Sequence, residues 1–492
     1  MVQTVNAKLL SSIFDKIPTR LNVALLLFMA SFISYMLRVN FSIIIIKMSA
    51  DTNATTIQIN SSLTASSSDL LLTNETDVVY RSSHNDDDDQ FNWDKKAQGL
   101  LLSAYFYGYL FPNLIGGSLA EMYGGRKVVF FTMLISSIIT ALSPFAAHNN
   151  FIFMFIMRFV LGLMGGFLYP ALHQIISKWA PFEEKGKFVS TLMGGVFGTV
   201  ISWPLTGYIT EHFGWRHAFY APAVLSMLIS FVWLYFVHDS PTVHPRITKA
   251  EKELIEKSLG AVKTDKKKHW PPMNHVLKSL PFYSLVFLHF GGTFGLFFLI
   301  TAAPKFMSEV LKFKLTEAGI LSSLPYLARL IAGYIFGSIG DTLRHKKILG
   351  TTAIRKSFCI FSHIIPGLFL LLLCKIGYDP YICVAVITLS LGFNGAATMT
   401  NLQNSQDLAP SFAGQLYGII NFVATTSGFI SPLIVAYFTQ ERSTMDEWQW
   451  IFIIGAFVYI LPGLFFIAFG SGEVQKWNEG QSDSKSDEKN KP

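Results

Sequence analysis

Twelve runs of mostly apolar residues, each near the length that crosses a bilayer, recur along this chain of 492 residues. A hydrocarbon core takes about 20 consecutive apolar residues as a helix, and it offers no water to backbone groups left unpaired. The runs fall at 21–46, 97–120, 128–147, 151–177, 188–210 and 216–238, then at 281–304, 316–340, 348–374, 379–402, 412–438 and 448–470. They predict an all-α polytopic membrane protein with 12 transmembrane helices in two six-helix bundles. Charged residues make up only 14% of the chain, where a soluble domain carries about a quarter, so a soluble enzyme is excluded.

The map that follows has a cytoplasmic N-terminus (1–20), a first bundle (21–238), a linker (239–280), a second bundle (281–470) and a tail (471–492). Lys8, Lys16 and Arg20 precede the first run in the manner of a signal peptide, but the run is too long and lacks a small-residue cleavage site. The polar loop 49–96 carries three glycosylation sequons, at Asn53, Asn60 and Asn74, which places it outside the cytoplasm. Lysines and arginines agree: Arg126 and Lys127 follow the second run, Lys178, Lys185 and Lys187 the fourth, and Arg344, Lys346 and Lys347 the eighth. Loops rich in Lys and Arg stay on the cytoplasmic side, so both termini lie there, in a plasma membrane or an endomembrane vesicle.

The net charge of +7 is therefore a topology signal, and no nucleic-acid partner is expected. Cys359, Cys374 and Cys383 lie in or beside apolar runs and read as buried thiols. Asp86 to Asp89 lack the glycine and distal glutamate of a calcium loop and read as a solvated acidic stretch. The linker holds Lys263 and Lys266 to Lys268, and its Thr248-Lys-Ala-Glu251 has the spacing of a capping box. A surface helix with Leu254, Ile255 and Leu259 on one face is the expectation there.

The two halves repeat a motif. Gly117-Ser-Leu-Ala-Glu121 after the second run corresponds to Gly337-Ser-Ile-Gly-Asp341 after the eighth, and Arg126 and Lys127 fall over Lys346 and Lys347. A close-approach glycine, a carboxylate and a basic pair at a tight turn suggest a clamp that breaks when the halves rock, giving Glu121 and Asp341 a gating role. These residues resemble the loop motif of the major facilitator superfamily.

Longer strings resemble one branch of it, the anion:cation symporter family of sialin, the vesicular glutamate transporters and the type I sodium-phosphate cotransporters. They are FNWD (91–94), YFYGYLFPNLIGG (105–117), YPALHQIISKWAPFEEKGK (169–187), GWRHAFY (214–220), TTAIRKSF (351–358), QDLAPSFAGQLYGIIN (406–421), SGFISPLIV (427–435) and SGE (471–473). The resemblance implies a major facilitator fold that carries small anions through a cleft open alternately to each side.

Arg38 sits inside the first run and Arg158 inside the fourth, where an arginine costs about 2.5–3.5 kcal/mol unless it faces water or a partner. Guanidinium offers fixed paired donors that match carboxylate or phosphate, so two such groups facing a cleft would make an anion site. Both match arginines of the family pattern, in LRVNFS and MRFVLG; the bland reading is a snorkelling or structural arginine. Tyr107, Tyr109 and Tyr169 either line the cleft or pack in the core. His173 lies 15 residues after Arg158, about 22 Å along a helix, and reads as structural or gating. Arg329 is a third intramembrane cation, without a family counterpart, and a candidate for coupling, gating or this chain's own substrate choice. Gly162, Gly165, Gly166, Gly194, Gly195 and Gly198 read as close-packing positions. Asp407 and Pro410 read as the start of the eleventh helix.

Departures from the family limit what carries over. Sialin and the vesicular glutamate transporters have a glutamate at the position of Gly165; the glutamate transporters also have a histidine at Leu102 and an arginine at Gly292. Glutamate specificity is not expected, and His289 in HFGGTFG is the remaining titratable group there, either a coupling site or a polar helix-packing residue. The function expected is secondary active transport of small organic or inorganic anions, of sodium-coupled phosphate type or proton-coupled, by a monomer without cofactor or bound metal. The alternative is a non-transporting membrane receptor or scaffold on the same fold. No enzyme is expected, since no Ser/His, paired-Asp or HExxH constellation stands at suitable depth.

Overall fold

The computed structural model describes residues 18–49, 90–181, 184–260, 271–376, 379–410 and 412–479. Asn53, Asn60, Asn74, the Asp86–Asp89 run and the basic cluster 263–268 lie outside the described residues.

The apolar runs fold as helices. The first half contains α1 (Thr19–Met48), α2 (Lys95–Leu110 and Pro112–Tyr123), α3 (Gly125–Asn149), α4 (Phe151–Trp179), α5 (Lys187–Phe213) and α6 (His217–Phe236). The second contains α7 (Leu280–Val310), α8 (Leu315–His345), α9 (Thr351–Leu373), α10 (Pro380–Leu408), α11 (Ala413–Phe438) and α12 (Met445–Phe469). Eleven are long and apolar enough to cross a membrane as single helices. The twelfth pass, α2, is interrupted at Phe111, because Pro112 has no N–H to give back to the preceding turn.

Local chemistry sets several starts. Asp94 accepts from the Ala97 amide at 2.7 Å to cap α2, Asn150 from Ile152 at 2.9 Å to cap α4, and Asp379 from Tyr381 and Ile382, each at 3.0 Å, to cap α10. The helix of α1 breaks at Asn40, and the Trp203 indole of α5 donates to the Val39 carbonyl at 3.3 Å and the Ser42 hydroxyl at 3.0 Å, satisfying the turn that the break frees.

The glycine faces pack. A side chain at Gly162 would run into the Tyr105 carbonyl of α2, and one at Gly194 or Gly198 into the carbonyls of Phe28 and Phe32 of α1. Cys359 and Cys383 are buried as expected; Cys374 is only half-buried, because it sits at the end of α9.

The linker helix (Lys249–Gly260) lies against the end of the first half. Thr248 accepts from the Glu251 amide at 3.3 Å, as the sequence predicts, but the Glu251 carboxylate does not close the box. It accepts from the backbone amides of Thr19 at 3.1 Å and Arg20 at 2.9 Å instead, capping α1 where the helix dipole favours an anion. Ile255 is fully buried, whereas Leu254 is exposed, so the apolar face is narrower than expected.

The broadest seams between the halves are α2 on α11 and α5 on α8. At the end bearing residues 90–94, here the loop end, Lys95 Nζ meets Glu309 Oε1 at 2.6 Å, and the Glu211 carboxylate accepts from Thr316 through its amide at 3.2 Å and its hydroxyl at 2.6 Å. Deeper in the α2–α11 seam, Ser103 donates to the Phe429 carbonyl at 3.1 Å. Toward the opposite, linker end the halves meet edge-on through Phe111 and Phe422, ring centroids 6.3 Å apart.

Candidate functional site

Between the halves lies a cavity of about 170 Å³ lined from both. The first half contributes Tyr35 and Arg38 of α1 and Tyr109 of α2; the second contributes α7, α8, α10 and α11. Among the described residues no aspartate or glutamate lines it, while two arginines, Arg38 and Arg329, do.

Arg38 is the centre of the first-half wall. Its guanidinium carbon lies 4.6 Å from the ring centre of Phe297, 4.8 Å from Phe106, and 5.2 Å from each of Tyr35, Tyr105 and Tyr109. Ring faces attract a cation, and more strongly once it is desolvated; here they hold the charge at depth without neutralising it. Nε and Nη2 of Arg38 find no hydrogen-bond acceptor among the described residues. An arginine so placed has donors to give to an anion.

Arg158 is equally buried but does not line the cavity. Its guanidinium carbon lies 4.4 Å over the Phe41 ring and 5.6 Å from Tyr105. The expectation that both arginines face one void therefore meets a different arrangement: Tyr105 stands between them, and aromatic faces stand where water or substrate was expected. Tyr105 was not singled out by the sequence reading, although its spacing contained the signal. Residues 105 and 109 are four apart and share a helix face, and their rings stack at 5.9 Å; Tyr107 points elsewhere and stacks on Phe429 at 4.8 Å. Tyr169 packs edge-on against Tyr35, centroids 6.2 Å apart, behind the lining residues.

The second-half wall is polar through neutral amides. His289 is held between Asn401, whose Nδ2 lies 2.6 Å from Nδ1, and Asn421, whose Oδ1 lies 3.4 Å from Nε2. The Asn401 side-chain oxygen Oδ1 accepts from the Thr400 hydroxyl at 3.0 Å. Tyr417 packs edge-on over the same ring at 5.4 Å. Arg329 donates through Nε to Asn394 Oδ1 at 3.0 Å. Asn394, Asn401 and Asn421 were not singled out from the sequence, because a neutral amide inside an apolar run carries no charge to flag it.

Other candidates lie away from this wall. His173 is exposed and outside the cavity lining. Glu121 and Asp341 are exposed at the linker end, and among the described residues neither enters an ion pair. The carboxylate that meets the Gly124–Arg126 turn is Asp239, which accepts from the Arg126 amide at 2.9 Å. Asp407 lies in the last turn of α10 rather than at the start of α11, where Arg355 of α9 pairs with it at 2.6 Å.

Residues 23–432 match the family model described as Major Facilitator Superfamily. Sialin of Homo sapiens is 35% identical over 460 residues, covering 93% of this chain and 90% of that protein. Vesicular glutamate transporter 1 of Xenopus tropicalis is 33% identical over 401 residues, covering 80% of this chain and 69% of that protein. A bacterial homolog of the human lysosomal transporter Spinster, crystallised in an inward-facing conformation, shares the fold with a TM-score of 0.63 over 92% of this chain and 97% of that one, at 13% identity.

Proposed function

Since the chain belongs to the major facilitator superfamily, and within it to the anion:cation symporter family, we propose that the cavity is its anion site and Arg38 the group that anchors the anion. The protein is a multi-pass membrane transporter of small anions working by alternating access, and not an enzyme. The observation that carries the assignment of the site is Arg38 itself. It sits on the wall of a cavity between the halves, and among the described residues its Nε and Nη2 have no acceptor and no carboxylate lines the cavity to neutralise it. A buried charge left unpaired is costly, and an anion that binds removes that cost.

The seam held by Lys95–Glu309 and Glu211–Thr316 is at the loop end, and the positive loops place the opposite, linker end in the cytoplasm. Alternation then requires Lys95–Glu309 and Glu211–Thr316 to part while the linker ends of the halves draw together. The membrane is the plasma membrane or that of an endomembrane vesicle, and the transporting unit is a monomer. The coupling cation is sodium or a proton. With glycine at 165 and 292, His289 is the lining residue whose ordinary titration range is nearest neutrality, so proton coupling would run through it.

The test uses the purified full-length protein in liposomes with labelled phosphate, urate, sialate and dicarboxylates under imposed sodium, proton or voltage gradients. Gradient-dependent uptake of at least one anion is expected, and its loss in Arg38→Gln with an unchanged melting temperature. Absence of flux for every anion would favour a receptor or scaffold on the same fold.

A further inference from the structure

Past the end of α6 the chain folds back on itself. A 3₁₀ turn, Pro241–Val243, leads into His244, whose Nε2 donates to the Phe236 carbonyl at 3.1 Å and whose Nδ1 accepts from the Arg246 amide at 3.2 Å. The hairpin is pinned from α4, where the Trp179 indole donates to the His238 carbonyl at 2.7 Å and packs edge-on against His244, centroids 5.5 Å apart. Arg246 is thereby returned to the helix the chain has just left. Its guanidinium carbon lies 4.5 Å over the Tyr235 ring and 5.0 Å over that of Phe236.

That position is on the outer face of the bundle, away from the cavity lining. Val224, Leu228, Phe231 and Tyr235 recur at helical spacing and are exposed along one side of α6, and on a helix that crosses a bilayer such an apolar stripe meets acyl chains. Tyr235 ends the stripe, in the place where aromatic rings gather at the headgroups. Beside it runs α3, with Phe130 against Phe231 at 5.8 Å, and the exposed Phe131 of α3 is followed one turn nearer the linker end by the exposed Lys127.

Two cations thus stand at the foot of two lipid-facing stripes. Among the described residues neither Arg246 nor Lys127 enters an ion pair or donates from its side chain. The acid of the hairpin, Asp239, is turned to α3, where it accepts from the Arg126 amide. Stacking on a ring uses the face of a guanidinium and leaves its edge donors for a phosphate, which they can fork. A choline headgroup would bring a like charge to Arg246 and Lys127. A headgroup of net negative charge brings none, and each basic residue at a membrane surface favours it.

We propose that the linker end of the α3–α6 face is a binding site for an anionic phospholipid, with Arg246 on its phosphate and Lys127 beside the headgroup.

The melting temperature of the detergent-purified full-length protein is followed as dioleoyl phosphatidylglycerol or dioleoyl phosphatidylcholine is added to the micelles. Soluble glycerol 3-phosphate serves as the arm with no acyl chain. Phosphatidylglycerol is expected to stabilise the wild type at a concentration about tenfold below that of phosphatidylcholine, and Arg246→Gln to cut this ratio about fivefold, one basic residue's share. Added salt should narrow the gap. Lys346→Gln, which removes an exposed cation from the linker end of the other half, should leave the ratio unchanged. Equal stabilisation of the wild type by both lipids overturns the proposal, as does a ratio unchanged in Arg246→Gln. A loss as large in Lys346→Gln would show a diffuse attraction in place of a site. Stabilisation by glycerol 3-phosphate that matches the lipid and disappears in Arg246→Gln would make this a site for free phosphate esters and overturn the lipid assignment. Should Arg246→Gln fail to fold, Lys127→Gln decides in its place, with a fall of about threefold or more expected and an unchanged ratio counting against the site.

Discussion

Arg355 grips Asp407 with two hydrogen bonds, Nε to Oδ2 at 2.6 Å and Nη2 to Oδ1 at 3.2 Å, both side chains almost fully buried. A third donor, Nη1, reaches the Met399 carbonyl at 2.7 Å, at the end of the 3₁₀ turn Gly395–Met399 that interrupts α10. The pair therefore ties α9 to α10 and satisfies backbone that the interruption frees. Asp407→Asn strands the guanidinium, and removing one partner of a buried pair costs about 3–5 kcal/mol. A clear drop in the melting temperature of the detergent-purified protein is expected, with Arg355→Lys also lowered because an ammonium cannot fork. An Asp407→Asn protein that melts with the wild type would contradict this account.

Lys95 and Glu309 bridge the halves at the loop end through one partly exposed pair. Such a pair contributes about 1 kcal/mol or less, enough for a shift of about fivefold in a two-state balance. Lys95→Ala is expected to populate the state open at the loop end. The readout is alkylation from that side of a Ser103→Cys reporter in a background without the native cysteines, rising about fivefold. The exchanged pair Lys95→Glu with Glu309→Lys should return labelling to the wild-type rate.

Gly165 faces the Tyr105 hydroxyl so closely that an added Cβ would collide with it. Overfilling a packed site costs about 1–3 kcal/mol. Gly165→Ala is expected to lower the melting temperature, and Tyr105→Phe, which removes the colliding oxygen, to recover much of the loss. Restoring the carboxylate of related transporters with Gly165→Glu alone should fail to give folded protein. Equal melting of Gly165→Ala in both backgrounds would show that the hydroxyl is not the obstacle.

His238 lies just past the end of α6 with its ring 4.7 Å from that of His244. Burial first, and then the nearby Arg126, push its imidazole down to about 4; His244 is lowered as well, again mainly by burial. An unfolded histidine titrates near 6.5, so between roughly 6.5 and 4 the unfolded chain binds more protons than the folded one. Stability contributed by the neutral rings is present above that window and declines as the pH falls through it. Melting temperatures are expected to drop on acidification across this range, with a shallower slope in His238→Gln. An identical slope in the variant would remove His238 from the explanation.

The passes were legible because a bilayer imposes a length and an apolarity that few other structures need. Pro112, which interrupts α2, was passed over inside the run 97–120. Arg38 was legible for a related reason, since a charge inside an apolar run demands an explanation. The same argument raised Arg158 and could not tell the two apart, because ring faces from Phe41 and Tyr105 meet that demand as well as a cavity does. Which rings converge is decided by how α1, α2 and α4 pack, and local periodicity says little about that. Arg355 and Asp407 are 52 positions apart, so their partnership lay beyond any pattern along the chain. Glu251 was read correctly as a capping residue and assigned to the wrong helix.

The carboxylate of Glu251 holds the first amides of α1, and Arg38 rides 18 residues beyond Arg20 on that same rod, about 27 Å farther along. The polypeptide between the bundles is thus a handle as well as a tether. A force applied to it, whether from a bound partner or a chemical mark, arrives at the base of the helix that carries Arg38 to the cavity wall.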